Sequence, residues 1–303
     1  MSREINLNLP LAHTALDRDY LSREQPELFS KLWQEDQALA LVMSGDKVLM
    51  NNSAELKLLP LSLVPESSAL AYLGKDLQTG IPIVLAKPND SECFELEPHP
   101  ENWHGLRRSG IGLTNRDAAI FTQGLALSNW HETHKYCPRC GTLTIVERAG
   151  WVRRCESDNL ELFPRTDPAI IVGVVDEHDR ILLGSQGVWE ENRFSILAGF
   201  VEPGESLEAA VVREMQEEAG ILVSNPEYLG SQAWPFPYSL MLGYTARYVG
   251  GTVTPDGEEI VKLRWFSREE LKAEANVLLL PGRLSIARAI IEHWLGEELN
   301  TGE

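Results

Sequence analysis

The hydrophobic and polar positions of this 303-residue chain follow different patterns in its two halves. Up to about residue 115, short apolar runs are separated by turn-forming residues, and Ser44-Gly45-Asp46 predicts a hairpin between two of them. From Ala169 onward, β-branched runs typical of buried strands alternate with stretches of helical periodicity. The predicted strands are 38–43, 47–50, 81–86, 169–175, 180–183, 240–248 and 261–266, and the predicted helices are 116–134, 207–219, 268–275 and 284–295. This pattern indicates an α+β protein: a separate α+β N-terminal domain, then a C-terminal sheet sandwiched between helices.

The helix predicted over residues 207–219 has clear boundaries and two distinct faces. Ser206 is a good N-cap, and Gly220 is a typical helix terminator. Each helical residue turns the chain by about 100°, so residues three and four apart share one face. One stripe contains Val212, Met215 and Ala219, and we expect it to face the core. The other stripe contains Glu214, Glu217 and Glu218.

The three glutamates carry the chemistry of this helix. Like charges at this spacing cost roughly a few tenths of a kcal/mol per pair on an exposed helix, and divalent cations among them remove that cost. Hard oxygen ligands suit Mg²⁺ or Mn²⁺, which bridge a pyrophosphate and activate water. Arg213 is placed to hold a neighbouring carboxylate, such as that of Glu205, by a forked contact. For the glutamates alone, a solvated acidic helix would be the better interpretation.

The wider pattern favours the metal site. Gly199, five residues, Glu205, seven residues and then Arg213-Glu-Met-Gln-Glu-Glu-Ala-Gly-Ile221 match every specified position of the Nudix signature. The chain resembles the NADH pyrophosphatase branch of the Nudix hydrolases, whose members carry an N-terminal domain, a zinc ribbon and a Nudix domain in this order. Ser231–Ser239 resembles that branch's S-Q-P-W-P-F-P-x-S motif, with Ala233 in place of proline.

The resemblance implies a Nudix α/β/α sandwich and cleavage of NAD(H) into AMP and nicotinamide mononucleotide. Some members also remove NAD caps from RNA, and members are homodimers. It implies metal binding by Glu214 and Glu218, with Glu218 most important for activating water, and by Glu217 as a further ligand or base. The remaining residues it implies are Arg213 in the catalytic group, the carbonyl of Ala198 and Glu259 at the metal, and Phe163, Phe200, Gln232, Ala233, Trp234, Pro235, Phe236, Pro237, Tyr238, Ser239 and Ala287 at the substrate.

A cysteine cluster precedes this region. Cys137-Pro-Arg-Cys140 is followed fourteen residues later by Cys155-Glu-Ser-Asp158, with aspartate where the family has a fourth cysteine. A structural zinc site of three cysteines and Asp158 is chemically sound, because carboxylate oxygen also binds zinc. The alternatives are a Cys₃His site using His131 or His134, and a degenerate knuckle of reduced thiols without metal. Cys93 lies outside this spacing and is interpreted as an ordinary free cysteine.

The composition of the chain excludes several kinds of partner and compartment. With 27 basic and 45 acidic residues, the net charge of −18 repels a phosphate backbone, so broad nucleic-acid binding is not expected. No run of 18 apolar residues and no secretory leader is recognised, and four cysteines do not make a disulfide scaffold. We therefore expect a cytoplasmic protein without a membrane partner. The predicted domains are 1–128, 129–164 (zinc-ribbon-like) and 165–303 (Nudix).

Two other functions compete with NAD(H) hydrolysis. The first is the same chemistry on another nucleoside diphosphate such as ADP-ribose. The second is a Nudix-like regulator that binds a nucleotide without turning it over, although such a protein would be expected to have lost the carboxylates that are complete here. A zinc-ribbon interaction protein is a third interpretation, which the missing fourth cysteine weakens.

Overall fold

The computed structural model describes residues 9–299, and the chain divides into two compact units. The N-terminal unit comprises residues 10–166 together with 234–238. The C-terminal unit comprises residues 167–233 and 239–299, with Leu9. Both units mix helices with sheets, so the α+β prediction is confirmed. Within residues 9–299, no helix combines the length and the apolar character needed to cross a bilayer.

The N-terminal unit contains eleven strands and four α-helices among the described residues. The strands are β1 (Leu16–Asp17), β2 (Leu39–Ser44), β3 (Lys47–Asn52), β4 (Glu55–Leu56), β5 (Leu59–Pro60), β6 (Ala69–Asp76), β7 (Pro82–Ala86), β8 (Trp103–Gly105), β9 (Ile145–Glu147), β10 (Val152–Arg154) and β11 (Glu161–Leu162). The helices are α1 (Leu28–Leu32), α2 (Asp90–Leu96), α3 (Leu106–Ser109) and α4 (Asn115–Thr133).

Two sheets organise this unit. The larger sheet has the strand order β1-β6-β7-β2-β3-β4, with β5 paired to β2 and β8 to β3. The strands β2 and β3 form the hairpin predicted at Ser44-Gly45-Asp46. The smaller sheet, with the order β11-β10-β9, is antiparallel, and Cys155 and Asp158 lie in the turn between β10 and β11. Cys137 and Cys140 lie in the turn that precedes β9. Helix α4 begins at Thr114, whose side chain accepts a hydrogen bond from the Asp117 backbone N–H. This cap marks the start of the helix predicted over residues 116–134.

Within its described residues, the C-terminal unit contains one mixed sheet and three α-helices. Its strands are β12 (Asp167–Val175), β13 (Ile181–Gln186), β14 (Leu197–Phe200), β15 (Ile221–Trp234), β16 (Ser239–Gly251) and β17 (Ile260–Phe266), and its helices are α5 (Leu207–Ala219), α6 (Arg268–Glu274) and α7 (Ile286–Leu295). The strand order is β15-β16-β12-β13-β17, with β14 paired to β12. Strands β12 and β16 run parallel, and β14 is antiparallel to β12.

The alternation of side chains along β12 builds a core on each face of this sheet. Ile170 and Val172 pack into the core shared with α5, whereas Ile171 and Val175 pack into the core shared with α6 and α7. Helices therefore cover both faces, as predicted. One detail of α5 was wrong: its buried stripe runs through Val211, Met215 and Ala219, whereas Val212 is only partly buried.

Strands β14 and β15 were not predicted. Strand β15 is fourteen residues long and lies at the edge of the sheet, with buried and exposed positions mixed along it. An edge strand with one solvated side lacks the continuous apolar run that marks a buried strand. Strand β14 contains only four residues, two of them Ala198 and Gly199, and thus has little hydrophobic signal.

Candidate active site

Helix α5 has the boundaries that the sequence predicts. The Ser206 hydroxyl accepts a hydrogen bond from the Ala209 N–H at 3.2 Å. Gly220 ends the helix with φ of +68°, a left-handed conformation that glycine adopts without steric cost. These local signals fix where the carboxylates lie along the helix.

Arg213 connects this helix to the chain that precedes it. Its Nε and Nη2 donate to the two oxygens of Glu205 at 3.1 and 2.6 Å, which is the predicted forked contact. Nη2 also donates to the Phe200 carbonyl at 3.0 Å, and Nη1 donates to Glu214 and Glu217, each at 2.9 Å. Hydrogen bonding to Glu205, and then to the other carboxylates, raises the pKa of Arg213 above its usual range. The guanidinium thus stays charged and fixes three carboxylates relative to β14.

The three signature glutamates occupy different environments. The side chain of Glu217 is 61% exposed, that of Glu214 is 12% exposed, and Glu218 is only 6% exposed. Burial is the main cause that raises the pKa of Glu218 to about 8, and the nearby carboxylates of Glu214, Glu259 and Asp256 add to it. Its Oε2 is buried and has no hydrogen-bond partner among the described residues. A buried carboxylate oxygen without a partner is costly unless a cation belongs beside it.

The space around Glu214 supports the same conclusion. A Cβ atom built on Gly199 would lie 2.0 Å from the Glu214 carboxyl carbon, so only glycine at this position of β14 leaves room for that carboxylate. Burial raises the pKa of Glu214, while Arg213 opposes the shift. Several hard oxygen donors, partly buried and mutually repelling, are the donor set that Mg²⁺ or Mn²⁺ prefers. The residues present therefore fit a divalent cation.

Glu259 is presented by a turn that the sequence analysis did not single out. Asp256 Oδ1 accepts hydrogen bonds from the backbone N–H groups of Glu258 and Ile260 at 3.1 and 2.8 Å. Gln186, at the end of β13, donates from Nε2 to Glu259 Oε1 at 3.0 Å. The Asp256-Gly257 dipeptide is a turn signal in the sequence. The contact from Gln186 spans 73 residues and has no local signal.

The residues predicted at the substrate are distributed over both units. In the C-terminal unit Phe200 is 59% exposed, whereas Gln232 is fully buried and Ala287 is 3% exposed. Gln232 donates from Nε2 to the Leu284 carbonyl at 3.0 Å and accepts from the Ile286 N–H at 2.8 Å. Both ends of its amide thus bind the backbone at the start of α7. This side chain has a role in packing that the motif alone did not reveal.

The aromatic part of the motif, Trp234–Tyr238, belongs to the N-terminal unit. The rings of Trp234 and Phe236 meet edge to face, with centroids 5.0 Å apart. The Phe236–Pro237 peptide bond is cis. Phe163, another predicted contact in this unit, is 57% exposed. The motif's flanking residues Ala233 and Ser239 are half-buried members of the C-terminal unit.

The cysteine cluster brings its four predicted members together. One ligand atom from each of Cys137, Cys140, Cys155 and Asp158 lies within 4.8 Å of the others. The sulfur atoms of Cys140 and Cys155 are 3.4 Å apart, and Cys137 Sγ is 3.5 Å from Asp158 Oδ2. Tetrahedral zinc with bonds of about 2.3 Å to sulfur separates its ligand atoms by roughly 3.8 Å. Three thiols and a carboxylate at these distances fit zinc.

The histidine alternative for the fourth ligand is wrong. His131 Nε2 lies 2.8 Å from the Gly150 carbonyl, which only accepts, so Nε2 carries the hydrogen. Its Nδ1 therefore accepts from Arg153 Nη1 at 3.1 Å. Burial chiefly lowers the pKa of His131 to about 4, and the charges of Arg153 and Lys87 lower it further. His134 Nδ1 lies 2.8 Å from the Thr133 hydroxyl, and neither histidine joins the cluster.

Comparison with known proteins agrees with this geometry. Residues 164–284 match the model of the NUDIX domain, and residues 132–163 match that of the NADH pyrophosphatase zinc ribbon domain. A protein of Pseudomonas syringae named NAD-capped RNA hydrolase NudC is 42% identical over 204 residues, which cover 66% of this chain and 70% of the relative.

Two further relatives and one solved structure also match this chain. Proteins of the same name from Mycobacterium tuberculosis and Mycobacterium bovis are 43% identical over 205 residues, covering 62% of this chain. This chain spans 64% of the length of these mycobacterial relatives. A solved NUDIX hydrolase from Nitrosomonas europaea aligns with 54% of this chain and 94% of its own, at 22% identity and a TM-score of 0.43.

The family assignment rests on the two domain matches in their expected order and on the 42% identity with the Pseudomonas relative. The complete carboxylate set on α5 and the Cys₃Asp cluster are the structural counterparts of those matches. This chain belongs to the NADH pyrophosphatase, or NAD-capped RNA hydrolase, branch of the Nudix hydrolases.

Proposed function

We propose that this protein hydrolyses the pyrophosphate bond of NAD(H), releasing AMP and nicotinamide mononucleotide, and that it also removes NAD caps from RNA 5′ ends. The observation that carries the proposal is the buried Oε2 of Glu218, which has no hydrogen-bond partner within residues 9–299 and lies near the carboxylates of Glu214 and Glu259. The names of the relatives, which refer to NAD-capped RNA, support the choice of substrate.

Glu214, Glu218 and Glu259 would hold Mg²⁺ or Mn²⁺, with the carbonyl of Ala198 as a further ligand and Glu217 at the exposed margin. When bound, the cation neutralises charge on the diphosphate and makes water a better nucleophile. Glu218 Oε2, which accepts no hydrogen bond from the described part of the chain, is the oxygen that takes the proton from the attacking water. Arg213 keeps Glu205 and Glu214 in fixed orientations while this happens.

The dinucleotide also needs partners for its flat rings. Phe200 is exposed enough to stack on a base, which contributes roughly 1–3 kcal/mol per base. Trp234 and Phe236 form an aromatic pair within the predicted substrate segment. A net charge of −18 disfavours binding along an RNA chain, so we propose that recognition is confined to the capped end.

Three further properties belong to the same proposal. Zinc in the Cys₃Asp cluster is structural, because all four protein ligands close its coordination shell. The four cysteines form no disulfide, which suits a reducing compartment such as the cytoplasm. The working form is a homodimer, an expectation that comes from the family resemblance.

Product analysis tests this proposal. The purified protein is incubated with NADH, NAD⁺, ADP-ribose and an NAD-capped oligoribonucleotide, with Mg²⁺, with Mn²⁺ and with EDTA, and products are separated by chromatography. We expect AMP and reduced nicotinamide mononucleotide from NADH, and AMP and nicotinamide mononucleotide from NAD⁺, only when a divalent metal is present. Faster cleavage of ADP-ribose than of any NAD-containing substrate would identify a different nucleoside diphosphate hydrolase. Tight nucleotide binding without products would identify a regulator.

A matched pair of variants tests the assignment of Glu218. Glu218→Gln removes the carboxyl group that would bind the cation and accept the proton, and it should abolish nearly all hydrolysis while the melting temperature is retained. Glu208→Gln changes an exposed glutamate in the first turn of the same helix and should leave turnover unchanged. Wild-type turnover by Glu218→Gln would refute the role given to Glu218.

A further inference from the structure

A contact inside the N-terminal unit concerns the aromatic segment Trp234–Tyr238. The Asn129 side chain, near the end of α4, donates from Nδ2 to the carbonyls of Pro235 and Pro237, both at 3.0 Å. Both partners are carbonyl oxygens, so the nitrogen of the amide must face them. The amide of one asparagine thus donates hydrogen bonds to the carbonyls of two prolines, which lie more than 100 residues away in the chain.

The segment connects the paired strands β15 and β16, and its two prolines limit the hydrogen bonds that its own backbone forms. Proline has no N–H, so Pro235 and Pro237 donate nothing to a neighbour. Within the segment, the Phe236 N–H donates to the Trp234 carbonyl at 2.7 Å. The carbonyls that Asn129 binds flank Phe236 on both sides, and they therefore set the direction in which its ring projects.

Arg107 acts on the same rings from another side. Its guanidinium carbon lies 3.9 Å from the centroid of the Phe236 ring and 5.5 Å from that of Trp234. No acidic residue among the described part of the chain forms an ion pair with Arg107, so its charge is available to the ring faces. The two rings are therefore held by the hydrogen bonds of Asn129 to the neighbouring backbone and by the guanidinium of Arg107 stacked on Phe236.

The helix that carries Asn129 is a rigid support. Phe121, Leu125 and Trp130 of α4 are at most 1% exposed, and Gln123 donates to the Leu73 carbonyl of β6 at 2.7 Å. Asn129 itself is half-buried. Because α4 is packed against the N-terminal sheet, the Asn129 side chain fixes the position of the segment relative to that sheet.

We propose that Asn129 is a positioning residue for NAD(H), which holds Trp234 and Phe236 in the arrangement that meets the dinucleotide. The inference rests on the proposed function. Asn129 acts through the Pro235 and Pro237 carbonyls and does not touch the substrate. Without it the segment samples other conformations, and the substrate must order the segment as it binds.

The test compares Asn129→Ala and Asn129→Asp with Glu132→Gln, a control three residues along the same helix that changes an exposed ion pair with Lys87 and Lys135. Alanine removes both donors, and aspartate also places a carboxylate against two carbonyl oxygens. Two net hydrogen bonds predict a rise in KM for NADH of about ten- to thirtyfold, with kcat within about twofold of wild type. Hydrogen exchange should become faster in the peptide covering residues 234–239 and stay unchanged elsewhere.

Two results would overturn the proposal. The first is a wild-type KM for NADH in both Asn129 variants, whatever happens to hydrogen exchange. The second is a parallel fall of kcat and melting temperature, which would show a general structural role. If the wild-type protein does not cleave NADH, the proposed function fails separately. The dissociation constant of NADH in EDTA then decides: equal affinity in wild type and Asn129→Asp overturns the positioning role, and weaker affinity in the variant supports it.

Discussion

Replacing Gly199 by alanine should disable the site without unfolding the protein. The new Cβ would lie 2.0, 2.1 and 2.4 Å from the carboxyl carbon and the two oxygens of Glu214, whereas ordinary contact begins at 3.4 Å. The backbone of Gly199 does not have a positive φ, so alanine is compatible with the strand itself. The clash is with the far end of a flexible side chain, which moves more easily than backbone.

The distance that the Glu214 carboxylate must move determines how far activity falls. To go from 2.0 to 3.4 Å, the Glu214 carboxylate must shift by about 1.4 Å, and it then loses its 2.9 Å contact with Arg213. A misplacement of about 1 Å at a catalytic group costs on the order of 100-fold in rate. We therefore expect kcat/KM for NADH to fall by about 100-fold.

Steady-state hydrolysis with saturating Mg²⁺ measures the loss of kcat/KM, and a thermal melt of the same sample measures the stability of the variant. Gly105→Ala is the matched control, since a Cβ there meets no atom within 4 Å and the glycine has no positive φ. Activity of Gly199→Ala within threefold of wild type would refute the packing argument. A drop in melting temperature as large as that of a core mutant would show instead that the strand had been disrupted.

The other predictions concern stability and metal content. Asp158→Ala should lose zinc by elemental analysis after mild chelation, whereas Asp158→Cys should keep at least as much as wild type; equal zinc in all three would exclude Asp158 as a ligand. Because the pKa of His131 falls from 6.5 to about 4 on folding, the unfolded chain binds more protons between those values. Stability from this group is complete above pH 6.5 and should drop by about 2 kcal/mol between pH 7 and pH 5 in urea unfolding, a loss that His131→Gln should reduce. Gln232→Met should lower the free energy of unfolding by about 2–4 kcal/mol, because it leaves two buried backbone groups unpaired; a change below 0.5 kcal/mol would contradict that role.

Much of the carboxylate helix was predictable from sequence because its determinants are local. Ser206 and Gly220 set its ends, and the spacing of the glutamates sets their common side. The same signals did not separate their environments, since Glu217 is largely exposed and Glu218 is buried. Burial depends on what packs against the helix, and here that is the sheet of the C-terminal unit.

Residues that act across long sequence separations could not be found in this way. Asn129 has no neighbour in sequence that marks it, and its partners follow more than 100 residues later. Gln232 was assigned to the substrate through a motif, yet both ends of its amide bind the backbone beside α7. A motif preserves residue type without saying whether the side chain faces a ligand or the core.

The amino-acid sequence by itself determined which residues are available for metal chemistry, because helix periodicity, capping and cysteine spacing act over a few residues. Tertiary structure decided which member of each set has which environment. It placed Asp158, and not His131, among the three sulfur atoms, and it buried Glu218 Oε2 where no group of residues 9–299 donates to it. Those outcomes depend on the free energy of bringing distant groups together and excluding water from them, which no local pattern encodes.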